Sequence, residues 1–281
     1  MTQLSAKIKL IYYIQFIIDF FNLRLVKKKI INFEDHFNLS KLNLLYCNII
    51  INYKLSDLIT TSGKRLGSED DPYYYALKNS LPIIEKNLFI ENFVRQIKFK
   101  ITKPRNASEA LGFRNSKILA NYPEWSLVMP WDEILIEERY KSYVEQFIKK
   151  RSTLKKLNEK ISDKNSDFIM YNELTWESHA EQFYKLYKSI SKNSLNNIKI
   201  IPVNLFVYEN QYRLSLSDDG NHRARIAYLM NLKSVPLRLS KIINFSDIQN
   251  WTNVKNNFYS LEEAKKIFID YFNYNGEGSY V

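Results

Sequence analysis

Residues 211–240 read Q-Y-R-L-S-L-S-D-D-G-N-H-R-A-R-I-A-Y-L-M-N-L-K-S-V-P-L-R-L-S. Leu214 and Leu216 alternate with Ser215 and Ser217, the pattern of a half-buried strand. The turn residues Asp218-Asp219-Gly220-Asn221 end it. Ile226, Ala227 and Met230 then recur at helical spacing, and Val235–Leu239 reads as a second strand. Strand, tight turn, helix and strand within so few residues constrain the fold more than any other stretch of the chain. They predict a crossover helix between two strands, the βαβ arrangement.

The turn also gathers chemistry. Gly220 can take a positive φ and admits a ligand close to the backbone. Asp218 or Asp219 can cap the helix. Asn221, His222 and Arg223 fall in its first turn, where N–H groups have no intrahelical acceptor and the dipole attracts negative charge. A guanidinium beside such a helix start suits an anion such as phosphate. Ligands of open α/β folds favour the carboxyl end of a strand, which is where this turn lies. The competing reading is a turn and helix cap with His222 and Arg223 in solvent.

The net charge of +11, with a pI near 9.4, favours anionic partners without choosing among nucleotides, nucleic acid and membrane surfaces. Cys47 is the single cysteine, so no internal disulfide can form and zinc sites built from several cysteines are excluded. A reducing, cytoplasmic setting fits. His36, His179 and His222 show no metal-ligand spacing. With 281 residues, 6 Gly and 7 Pro, the chain can bury a sizeable core and leaves little room for long linkers.

Three regions are expected. Residues 1–30 carry six Lys or Arg against one Asp, and 7–29 read as a basic amphipathic helix. Its apolar run is broken by Gln15, Asp19, Asn22 and Arg24, too polar to span a bilayer, and no small-residue cleavage site follows. Such a helix either packs on the core, the preferred reading, or lies on an anionic inner membrane surface.

Residues 31–165 form a mixed, mostly helical region. Residues 41–60 fit strand or helix equally, and 93–102 alternate as a strand ending before Pro104. Residues 61–72 read as a solvated loop whose G-K-R is not a phosphate-binding P-loop. Trp125, Pro130 and Trp131 either wall a pocket or, as preferred, pack a loop on the core. Helical spacing runs from Trp131 to about Lys164. Its basic positions Lys149, Lys150, Arg151, Lys155 and Lys156 read as a solvated face rather than a nucleic-acid stripe.

Residues 166–281 carry a helix at 176–193, a strand at 198–208, the hairpin turn Glu209-Asn210-Gln211, the turn described above, and a final helix over 264–272. That last helix opens with the capping box Ser260-x-x-Glu263. His179 and Glu181 read as surface residues of the first of these helices, with a catalytic pair as the alternative.

The motif S-D-D-G-N-H-R-A-R-I-A-Y-L, with P-V-N-L-F-V before it and V-P-L-R-L after it, resembles the ParB/sulfiredoxin-like superfamily over about residues 176–240. The resemblance implies an α+β fold: a small mixed sheet with a strand–turn–helix–strand core beside a mostly helical N-terminal region. It implies a phosphate or nucleotide site at Gly220, Asn221, His222 and Arg223. Asp219 and His222 would be the catalytic pair, and Asp218 and Asp219 the ligands of Mg²⁺ with ATP or another nucleotide. Sulfiredoxins place a reactive cysteine where this chain has Asn221, so that chemistry is not available here.

The D-G-N-H-R form looks most like the free-amino-acid kinases of the superfamily. Together, P-W-D-E, S-I-S-K-N and G-N-H-R are similar to uncharacterised proteins of bacterial surface-polysaccharide gene clusters. The expected function is therefore nucleotide or phosphate binding, extending to an ATP-dependent phosphotransferase acting on a small molecule of surface-polysaccharide metabolism. The alternatives are a non-catalytic nucleotide- or phosphosugar-binding module and a ParB-like nucleic-acid-binding protein. Only 41 residues follow Ser240, little room for a DNA-binding module.

Overall fold

The structure is a computed structural model, described here at residues 29–32, 49–61, 63–101, 105–111, 119–122, 127–142, 145, 173–193, 200–209, 211–217, 220–232 and 235–274. Residues 7–28 of the N-terminal helix read over 7–29, Trp125, the basic run 149–156, Asp218 and Asp219 lie outside the described residues; Lys29, the last residue of that reading, is in a strand rather than a helix.

The architecture is α+β. Strands β1 (Lys29–Asn32), β2 (Ile49–Asn52), β3 (Ile201–Tyr208), β4 (Gln211–Leu216) and β5 (Leu237–Asn244) form one mixed sheet in the order β1-β2-β5-β3-β4. β1 pairs with β2 and β5 with β3 in parallel, while β2 to β5 and β3 to β4 are antiparallel. The longer helices are α1 (Pro72–Ser80), α2 (Lys86–Lys100), α3 (Glu173–Asn193), α4 (Asn221–Leu229) and α5 (Leu261–Phe272).

β3 is buried on both faces and separates two cores. Ile201, Val203, Leu205 and Val207 join Leu214, Leu216, Leu237 and Leu239 in one cluster under α1, α2, α3 and α4. Phe206, on the other face, joins Ile243 and the aromatic set of α5. Both cores draw on residues from before and after position 166.

The hairpin after β3 turns at Glu209, whose φ is 52°, and sets the register Tyr208 to Gln211. β4 then leads through α4 to β5, but not as a parallel crossover. β4 and β5 lie on opposite sides of β3 and run antiparallel to each other. Local patterning locates both strands and the helix; strand direction is decided by which neighbour each edge finds, and β3 is that neighbour for both.

A second correction concerns residues 93–102. Residues through Lys100 are helical, in α2, with Phe89, Phe93 and Ile97 on one face and all buried. Their four-residue spacing is a helix signal that the short alternation of 93–102 masked. The loop 61–72 is not wholly solvated either: Leu66 is 1 % exposed and Asp71 1 %.

Pro130 and Trp131 are buried, and Trp131 packs edge-on against Phe206, Trp251, Phe268 and Tyr271, so it fills the second core. α5 begins at Ser260 with the capping box to Glu263 in place. No helix among the described residues is long and apolar enough to cross a membrane.

Candidate functional site

α4 starts where β4 ends. Ser217 is tied to the beginning of β3: its amide and its hydroxyl both donate to the Pro202 carbonyl, at 3.3 and 3.1 Å. Asn221 Nδ2 then donates to the Ser217 carbonyl at 2.9 Å, closing the turn.

The N-cap residue is Gly220 itself, at φ 108°, so no side chain caps the helix from this position. A Cβ there would stand 2.8 Å from Ile201 Cγ2 and 3.2 Å from Pro202 Cδ. Glycine is therefore required twice, by its left-handed backbone and by close packing on β3. The same virtual Cβ lies 3.6 Å from an Arg223 Nη nitrogen, so the guanidinium folds back over the helix start.

His222 points into a ring cluster. Its imidazole centroid is 4.2 Å from Phe183 and 5.1 Å from His179, both on α3. Burial pushes the His222 imidazole down to about 3, and the neighbouring His179, Arg225 and Arg223 push the same way. The ring is thus neutral near pH 7 and brings no positive charge to an anion. That charge comes from Arg223.

His179 is not on the solvent face of its helix. It faces inward, with Nδ1 2.9 Å from the Tyr73 hydroxyl and its ring 5.4 Å from the Tyr73 ring. Glu181, in contrast, pairs with Lys86 at 2.8 Å in a half-exposed ion pair. The two residues point to different partners.

Arg225 had no signal in the residue pattern that distinguished it from Arg223. It is buried, its Nε donates to Asp71 Oδ2 at 2.8 Å, and its guanidinium lies 5.6 Å from the Tyr73 ring centroid. Asp71 is also the N-cap of α1, where Oδ1 accepts from the Tyr73 and Tyr74 amides. One carboxylate thereby clamps the start of α1 to the second turn of α4. The visible trace in the sequence is a lone arginine inside the small apolar run Ala224–Ala227; its partner, 154 positions away, is not readable.

The arrangement brings together Gly220, Asn221, His222 and Arg223 at one helix start, backed by His179, Phe183 and the Asp71–Arg225 pair. A helix N-terminus with a folded-back guanidinium can hold an oxyanion through N–H groups, dipole and charge. Among the described residues, no group of three or more His, Cys, Asp or Glu side chains could hold a metal ion. No family model matches the chain, and neither does any curated protein or solved structure.

Proposed function

We propose that the chain is a ParB/sulfiredoxin-like protein that binds the phosphate groups of a nucleotide or phosphorylated small molecule at the start of α4. The observation that carries this reading is the Arg223 guanidinium folded over a glycine-capped helix N-terminus. Gly220 and Asn221 supply backbone at close range, Arg223 supplies the charge, and His222 forms a neutral wall against Phe183. The basic balance of the chain favours an anionic ligand.

Turnover as an ATP-dependent phosphotransferase, in surface-polysaccharide metabolism, would add Mg²⁺ at Asp218 and Asp219, with Asp219 as the base. A second reading, binding without turnover, is favoured by His222. An imidazole held neutral down to about pH 3 is a poor proton carrier at pH 7.

Thermal melting of the full chain with ATP, ADP, CTP and GTP, each with and without Mg²⁺, tests the proposal. Ligand at about a hundredfold its Kd stabilises the folded state by about 2.7 kcal/mol. The expected result is a shift in the parent that Arg223→Ala removes without lowering the ligand-free melting temperature. A shift of equal size in both proteins, or none with any nucleotide, overturns it.

A further inference from the structure

α2 carries apolar side chains on both of its faces. Phe89, Phe93 and Ile97 are buried in the first core. Leu88, 55 % exposed, and Phe99, 78 % exposed, are turned away from it. At 3.6 residues per turn Phe99 returns to within about 20° of Leu88 around the axis, about three turns further along. Ile84 stands directly before the Glu85 N-cap and is also 78 % exposed. An apolar residue there ordinarily folds onto the fourth helical residue, here Phe89. Instead its side chain stays in solvent while its carbonyl accepts from the Tyr184 hydroxyl at 2.6 Å. Among the described residues these are the most exposed large apolar side chains. The outer face of a surface helix is ordinarily polar, so an apolar row there marks an interaction surface.

Two charges lie in the row between Leu88 and Phe99. Glu91 and Arg95 are exposed and follow Leu88 at helical spacing. Neither forms an ion pair among the described residues, with the other or elsewhere. Arg95 donates instead to Asn92 Oδ1. Asn92 is buried, and its Nδ2 donates to the Asn79 carbonyl and the Ser80 hydroxyl, both at 3.0 Å, so this face is tied to the end of α1. Phe99 is steadied by Tyr75 of α1, with ring centroids 6.4 Å apart and planes inclined by 29°.

The charges that flank the row are already engaged inside the chain. The Glu85 carboxylate accepts from the Asn87 and Leu88 amides at 2.9 and 2.7 Å. Lys86 pairs with Glu181, Lys98 with Glu173 and Lys100 with Asp70. Glu91 and Arg95 are thus the two charges of this face left to an outside partner.

Along the helix the face reads apolar, acidic, basic, apolar: Leu88, Glu91, Arg95, Phe99. That order is complementary to its own reverse. A second copy laid antiparallel, with a twofold axis level with Phe93, sets Glu91 against Arg95 of the second copy twice over and Leu88 beside its Phe99. A parallel copy would instead oppose like charges. We propose that the outer face of α2 is the contact between two copies of this chain, packed antiparallel, with Leu88 and Phe99 as apolar contacts and Glu91 and Arg95 as two reciprocal ion pairs. One helix face buries less than the roughly 800 Å² per partner of a standard interface, so the dimer belongs to the weak, concentration-dependent class.

Sedimentation equilibrium of the full chain in KCl at about 0.15 M, over about 5–500 µM protein, tests it. A reversible monomer–dimer equilibrium is expected. Glu91→Arg sets like charges opposite each other at both pairs, and so does Arg95→Glu. Each is expected to weaken the dimer at least about tenfold, at exposed positions on which the fold does not depend. An equimolar mixture of the two variants restores opposite charges at both pairs, so a heterodimer within about threefold of the parent affinity is expected. A parent that stays monomeric throughout overturns the proposal and leaves this face to another occupant, such as an anionic membrane or a different protein. Single variants that dimerise within about twofold of the parent also overturn it, as does a mixture that associates no more tightly than either variant alone. None of these outcomes bears on nucleotide binding at α4, which is read from the melting experiment above.

Discussion

The His222 imidazole, wedged against Phe183 and His179, makes the stability of this fold depend on pH in a defined direction. Its pKa falls from 6.5 to about 3 on folding. The unfolded chain therefore binds a proton more readily between those values, and stability falls as pH falls. The contribution is fully present above pH 6.5 and declines by up to about 1.4 kcal/mol per pH unit below it. From pH 7 to pH 5 the loss from this one group reaches about 2 kcal/mol. Residual solvent contact of the ring screens the effect, so this figure is a ceiling. The charged or titratable groups around the ring are His179 from α3 and Arg223 and Arg225 from α4. Asp71 from the α1 cap is bound to Arg225, and Tyr73 to His179. All of these remain in His222→Phe, which preserves a flat ring against Phe183. Urea unfolding of parent and variant at pH 7, 6 and 5 isolates the His222 part as the difference between their slopes. The parent should lose more stability than the variant by up to about 2 kcal/mol over that range. Equal pH dependence in the two proteins would refute the reasoning, because it would mean that the imidazole is as easily protonated in the folded chain as in the unfolded one.

Two further outcomes are expected. Arg225→Met leaves the Asp71 carboxylate buried with only its two amide donors and should cost about 3 kcal/mol by urea unfolding, the low end for a broken buried pair; a loss below about 1 kcal/mol would show that the clamp is not needed. Gly220→Ala imposes left-handed strain of about 1–3 kcal/mol and drives its methyl into Ile201 and Pro202, so the melting temperature should fall by several degrees; an unchanged value contradicts the close packing described.

Features that depend on neighbours within a few residues were legible in the amino-acid sequence alone. The capping box at Ser260 and Glu263, the hairpin at Glu209, the strand ending at Leu216 and the helix after Gly220 are local, and each is where the pattern places it. The α+β class was implied by the resemblance that the strand–turn–helix–strand motif carries. Residues 93–102 were misread because a short alternating run also fits one helix face, and packing of Phe89, Phe93 and Ile97 decides between them. The environment of the α4 start came from distant contacts. Tyr73 meets His179 across 106 positions and Asp71 meets Arg225 across 154, and no periodicity encodes which residue lies opposite which. The same holds for Arg213, which only the fold brings to the Tyr274 ring that Arg65 also meets. Sequence by itself thus determined the elements and the residue types at the helix start, because turns, caps and periodicity are short-range. Tertiary structure decided strand direction, the neutrality of His222 and the pairing of the buried charges, because those are set by desolvation and by partners that meet only when the chain is folded.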